Sequence, residues 1–319
     1  MPPRFIPARW LPGAHAQTVY GSRFAPAPSI TYRRERWDTP DADFIDIDFV
    51  DGPEGSPWVH LFHGLEGSSQ SPYARTLMHH VRERGWRGSV MIYRGLSGEM
   101  NRLPRAYHSG DSEEVDWVLR RLAARAKGAP LHVAGVSLGG NALGKWLGEQ
   151  GEAACAIASR AATVCAPLDL TAAADALERG VARLYGRHFL GTLKVSAAAR
   201  LAAFPGIFDA RALRRARTLR EFDDAVTAPL HGFRDAADYY ARSSAKPWLS
   251  RVALPTLVIN ARDDPFLPES ALPTERQVSR AVKLEFPSRG GHVGFVSGPF
   301  PGHIEWLPQR LLHFFEHAE

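Results

Sequence analysis

The stretch Leu131-His132-Val133-Ala134-Gly135-Val136-Ser137-Leu138-Gly139-Gly140-Asn141-Ala142-Leu143-Gly144-Lys145-Trp146-Leu147 decides the fold. Its first half is an apolar run that reads as a strand, and its second half reads as a helix. Gly135-Val136-Ser137-Leu138-Gly139 sits at the junction. A serine between glycines at a strand-to-helix junction is a nucleophile elbow. The turn is so tight that neighbouring backbone closes in on it, and only glycine lacks the Cβ that would clash. The serine is thereby pushed out at the end of the sheet, which makes Ser137 the candidate nucleophile.

Outward from this stretch, strands and helices alternate. Residues 44–50 (FIDIDFV) alternate apolar and acidic side chains, as a half-exposed strand does, and 58–62 reads as a second strand ending at His63-Gly64. A helix over 71–84 follows, then a short buried strand over 89–93. An amphipathic helix over 111–125 could be capped by Asp111 or Ser112. Residues 161–166 read as a strand ending at Pro167. From 168 to 249 the chain turns Ala- and Arg-rich and mainly helical, with breaks at Gly191, Pro205, Gly206 and Pro229. Strand character returns at 255–260 (PTLVIN) and 282–286, and a helix over about 304–317 closes the chain. This alternation predicts an α/β fold with a mostly parallel sheet covered by helices on both faces. The expected organisation is a core over 1–167 with a leader over 1–40, a helical lid insertion over 168–249, and the rest of the core over 250–319.

A serine hydroxyl needs a base, and the base needs an orienting acid. Asp263-Asp264 follow the 255–260 strand and His292 follows the 282–286 strand, so both reach the carboxyl end of the sheet where Ser137 lies. His292 is the expected base, turned inward by flanking glycines; the acid is Asp263 or Asp264. A developing oxyanion needs backbone N–H donors. Leu138, after the nucleophile, would supply one, and Leu65, in the loop His63-Gly64-Leu65-Glu66-Gly67, the other. His63 is expected to buttress that loop. There is no H-E-x-x-H, G-x-G-x-x-G or P-loop, so neither a metal nor a nucleotide cofactor is expected.

At 319 residues, 45% hydrophobic and 23% charged, the composition is that of an ordinary globular enzyme. The net charge of +5 is almost all arginine, and the densest cluster (Arg211, Arg214, Arg215, Arg217, Arg220) has no interleaved aromatics, so nucleic acid is not an expected partner. Cys155 and Cys165 fit a reduced compartment and read as small buried hydrophobes. The first 25 residues are not a signal peptide, and no stretch is long enough to span a bilayer, so a cytoplasmic protein without stable membrane insertion is expected.

These motifs, in this order, resemble the YheT-like branch of the α/β-hydrolases, whose eukaryotic relatives are abhydrolase domain-containing lipases. The resemblance runs nearly end to end. It includes Phe5-Ile6-Pro7, His15-Ala16-Gln17-Thr18, His63 to Ser68, Ser71-Pro72-Tyr73, Arg94 to Glu99, Asn101-Arg102 and Tyr107 to Gly110, with Gly135 to Leu143, Asp263 to Phe266 and Gly290 to Phe295. Tyr93 and Leu96 depart from the family's usual residues. The resemblance implies a triad in the order Ser, acid, His. Its acid stands four residues before a proline, which matches Asp264 with Pro268 and leaves Asp263 as the alternative. It also implies carboxylic ester hydrolysis through an acyl-enzyme, with acylglycerols and other lipid esters among the candidate substrates. Thioester hydrolysis or acyl transfer is the alternative chemistry, and a non-catalytic binding protein a further one. Leu184, Tyr185, Phe189, Leu190, Leu193, Phe204, Ile207 and Phe208 are candidate walls of a short- to medium-chain acyl pocket. Arg183, Arg187 and Lys194 are candidate contacts for an anionic head group.

Overall fold

A computed structural model describes residues 3–317. Its strands are β1 (Arg33–Asp38), β2 (Phe44–Val50), β3 (Trp58–Phe62), β4 (Arg87–Ile92), β5 (Leu131–Val136), β6 (Arg160–Val164), β7 (Thr256–Ile259) and β8 (Val282–Glu285). They form one sheet in the order β1-β2-β4-β3-β5-β6-β7-β8. The β1–β2 and β2–β4 pairs are antiparallel and all the others parallel. Parallel neighbours need long crossovers, and helices supply them.

α1 (Ala14–Arg23) precedes the sheet; α2 (Pro72–Glu83) links β3 to β4, α3 (Ser112–Ala126) links β4 to β5, and α4 (Leu138–Gln150) links β5 to β6. Asp111 caps α3, its side chain accepting from Glu114 N–H. On one face of the sheet Val118, Leu119 and Leu122 of α3 and Leu143 and Trp146 of α4 pack into a single buried cluster with the strands. On the other face Leu77, Met78 and Val81 of α2 do so, together with the last helix. The central strands β3, β5 and β7 are buried along their whole length, as strands covered on both faces are.

Between β6 and β7 the chain leaves the sheet for α5 (Leu170–Ala176), α6 (Arg183–Ala203), α7 (Ala210–Arg215), α8 (Leu219–Phe222), α9 (Ala228–His231) and α10 (Ala236–Ser243), then returns through a 3-10 turn at Lys246–Arg251. Leu190, Phe208, Leu213, Phe222 and Val226 give these helices a small core of their own. α11 (Trp306–Glu316) closes the fold. Among the described residues, no helix is long and apolar enough to cross a membrane.

Three sequence expectations change. β2 is buried throughout rather than half-exposed, because Arg34 and Arg36 of β1 grip Asp48 and Asp46 at 2.7–3.0 Å through paired hydrogen bonds. The segment 1–40 is more than a leader: it supplies α1 and β1. Cys155 is exposed, in the turn after α4, while Cys165 is buried.

Candidate active site

Ser137 is the residue between β5 and α4, and its backbone stands at φ 53 and ψ −119, a strained conformation for a residue with a Cβ. The chain is held there from both sides. Ser137 N–H donates to Val164 O at 2.8 Å. A Cβ on Gly135 would fall 2.5 Å from Gly139 O, and one on Gly139 would fall 2.5 Å from both Phe62 O and His63 O. Glycine at both positions is therefore a steric requirement, which is the physical content of the motif.

Ser137 Oγ lies 3.0 Å from His292 Nε2, and His292 Nδ1 lies 2.8 Å from Asp264 Oδ2. The second oxygen of Asp264 accepts Phe266 N–H at 2.8 Å, so both its oxygens are occupied. Asp263 turns elsewhere: its Oδ1 accepts Gly291 N–H at 2.9 Å, and burial raises its pKa. The two adjacent aspartates thus hold different parts of one loop, Asp264 the imidazole and Asp263 the backbone just before it. Phe266 stacks on the His292 ring with centroids 4.1 Å apart. From the far end of the chain, Thr18 of α1 accepts His292 N–H at 2.8 Å, and Gln17 brackets Val296, accepting its N–H at 2.7 Å. Ala8 N–H donates to Val296 O at 2.9 Å. Cys165 joins Asp264 and His292 in a trio of possible metal ligands lying within 4.8 Å of one another. Burial pushes its thiol pKa well up and Val293 N–H donates to its sulfur at 3.4 Å, so it is held as a neutral thiol, a weak ligand.

Around Leu65 the backbone amides are sorted. Gly64 N–H donates to Tyr73 Oη at 2.9 Å, Glu66 N–H to Tyr107 Oη at 3.1 Å and Gly67 N–H to Gly64 O at 3.0 Å. Leu65 N–H, between them, has no acceptor among the described residues. Leu138 opens α4, so its N–H is one of the donors a helix start leaves unpaired. Both leucines line the same cavity as Ser137 and His292. His63 holds the loop from behind, its Nδ1 2.8 Å from Gly64 O, and burial lowers its pKa to about 4, which keeps it neutral.

The cavity measures about 180 Å³ and is roofed by the helices between β6 and β7. Of the eight residues expected as walls, Phe189 and Leu193 line it. Tyr185 packs on Phe266 beside it, and its hydroxyl meets His15 Nδ1 at 3.1 Å. Leu190, Ile207 and Phe208 belong to the helices' own core, Leu184 is exposed, and Phe204 does not reach the cavity. Arg183 and Arg187 border a separate crevice, and Lys194 donates to Arg214 O at 3.0 Å. The basic residue of α6 that does line the cavity is Arg200. A readable signal for it existed: Phe189, Leu193, Ser196, Ala197 and Arg200 are spaced i, i+4, i+7, i+8, i+11, one stripe of a helix, about a third of a turn from Arg183, Arg187 and Lys194. Tyr73, Tyr107 and Thr18 lie in stretches that carry the resemblance, but no sequence pattern gives their roles, since each acts through tertiary contact alone.

A family model described as alpha/beta hydrolase fold matches residues 57–299. The chain is 41% identical over 312 residues to the candidate esterase YheT of Escherichia coli (strain K12), covering 96% of this chain and 91% of that one. It is 30% identical over 322 residues to phospholipase ABHD3 of Mus musculus, covering 98% and 78%. The solved structure of the esterase EaEST from Exiguobacterium antarcticum superposes with a TM-score of 0.55 at 17% identity, over 88% of this chain and 99% of that one, a likeness of fold.

Proposed function

From the premise that the chain belongs to the alpha/beta hydrolase family and is an esterase- or lipase-like hydrolase, we propose that it cleaves carboxylic esters through an acyl-enzyme on Ser137. The observation that carries this reading is the continuous hydrogen-bonded chain Asp264–His292–Ser137, opening into a cavity beside two unpaired amides.

In this mechanism Ser137 Oγ attacks the ester carbonyl carbon as its proton passes to His292 Nε2. Asp264, bonded to Nδ1, fixes the tautomer and stabilises the imidazolium. The carbonyl oxygen becomes an oxyanion held by Leu65 and Leu138 N–H. Collapse breaks the bond to the leaving alcohol, which takes the proton from His292. Water then repeats the sequence on the acyl-enzyme, releasing the carboxylic acid and restoring Ser137. The helices between β6 and β7 serve as a lid over this chemistry. A cavity of about 180 Å³, small beside the roughly 300–1,000 Å³ of typical ligand sites and walled by Phe189, Leu193 and Phe222, supports a short- to medium-chain acyl group.

The test is hydrolysis of p-nitrophenyl esters of graded acyl length by the wild type and Ser137→Ala. We expect a maximum at short to medium length and a loss on the order of 10⁴-fold or more in the variant. Undiminished turnover by Ser137→Ala would sink the assignment. Acyl-coenzyme A thioesters of the same chains, run alongside, separate ester from thioester preference.

A further inference from the structure

Two arginines line the cavity that holds Ser137, and they are paired very differently. Arg94 is saturated: its guanidinium donates to Glu114 at 2.6 Å, to Asp43 at 2.9 Å and to Asp41 at 3.0 and 3.2 Å. Arg200, reaching down from α6, is only 6% exposed, yet its Nε has no hydrogen-bond partner, and no described residue forms an ion pair with it. The nearest acids are engaged elsewhere. Asp43 serves Arg94 and accepts from Asn101 and from Arg102 N–H, while Glu66 accepts the Tyr107 hydroxyl at 2.7 Å.

The guanidinium is also given room that a side chain would close. A Cβ on Gly95 would fall 2.7 Å from Arg200 Nη2, and Gly95 stands at φ 82, where glycine is favoured. Burial lowers the pKa of Arg200, with Tyr107, Asp43 and Glu66 opposing; arginine nevertheless stays charged at neutral pH. A buried, unpaired cation is costly unless something completes it. Its donors lie in a planar fork that matches a carboxylate or phosphate in two-point contact.

We infer that Arg200, in the room that Gly95 leaves beside it, forms an anion subsite inside the ester-cleaving cavity, so that the substrate is an ester bearing a second, anionic group remote from the bond cleaved. This rests on the serine-hydrolase reading of Ser137 and adds the substrate's charge to it. The carboxylate or phosphate would complete the pairing Arg200 lacks, while the ester carbonyl reaches Ser137. Arg183, Arg187 and Lys194 play no part.

The test compares two matched pairs of substrates. On the acyl side, p-nitrophenyl hydrogen glutarate is set against p-nitrophenyl valerate; on the alcohol side, butyrylglycerol phosphate against monobutyrylglycerol. The wild type should favour the charged member of one pair in kcat/KM, mainly through KM, by at least about tenfold. The favoured pair tells which end carries the anion. That ratio should collapse in Arg200→Met and survive in part in Arg200→Lys. Inorganic phosphate should inhibit the wild type competitively, and Arg200→Met much less. A wild-type ratio at or below one in both pairs, or a ratio that Arg200→Met leaves unchanged, overturns the subsite. Failure of the wild type to take a fluorophosphonate on Ser137 would instead overturn the hydrolase mechanism beneath it.

Discussion

Asp263 and Asp264 are chemically identical neighbours, and only three-dimensional direction separates them: one meets an imidazole nitrogen, the other a backbone amide. Asp264→Asn should therefore lower kcat by about 10⁴-fold, since an amide favours the wrong histidine tautomer. Asp263→Asn, whose side-chain oxygen can still accept from Gly291, should cost less than tenfold; equal losses in the two would contradict the assignment. Tyr107→Phe leaves Glu66 N–H without its acceptor and loosens the loop that aims Leu65. A loss up to the 10²–10³-fold cost of removing an oxyanion donor is the ceiling expected, in kcat more than in KM. The serine, acid and histidine we propose as the triad could be nominated from the sequence because each follows a recognisable strand, and order along the chain translates into convergence at one edge. The roles of Tyr73 and Tyr107, though both stand in stretches that carry the resemblance, were not legible, because a hydroxyl that caps an amide across the fold leaves no local pattern.

At the scale of the element, what was legible depended on whether a pattern is local. The 3.6-residue stripe on α6 is local, and following it would have led to Arg200 in place of Arg183 and Arg187. The burial of β2 is not, because its aspartates look solvent-facing until the arginines of β1 arrive beside them. α4 illustrates competition between a local and a tertiary term. Gly148→Ala should raise helix propensity by about 1 kcal/mol. Its new Cβ, however, would fall 2.3 Å from Trp248 O in the turn Lys246–Arg251, a backbone atom that cannot step aside. Overpacking of this kind costs about 1–3 kcal/mol, so the net change should be destabilising, seen as a lower denaturant midpoint; a raised midpoint would show that the turn yields freely.

Across the whole molecule, several histidines are held neutral by desolvation, among them the buried His63 and His132 and the partly buried His108, each lowered to about 4. The unfolded chain takes up these protons near pH 6.5 and the folded one only near 4. Their contribution to stability is thus complete above the unfolded value and drains away as pH falls from about 6.5 to 4. His132 stacks between Trp86 and Phe315, ring centroids 5.9 and 5.0 Å away, so phenylalanine can take its place without emptying the stack. His132→Phe should flatten the fall in unfolding free energy over that window by about 1.4 kcal/mol per pH unit, one proton's worth; an unchanged slope would mean that His132 is not the group being titrated. The eight-stranded order was legible only as an alternation of elements, since pairing depends on residues far apart in sequence. The same distance has a further consequence in the clasp between α1 and the 292–296 loop. During synthesis Thr18 emerges from the ribosome some 270 residues before the histidine it supports. The proposed triad therefore cannot close until residue 292 has emerged, and up to that point a ribosome carries an inert nascent chain, harmless to the esters around it.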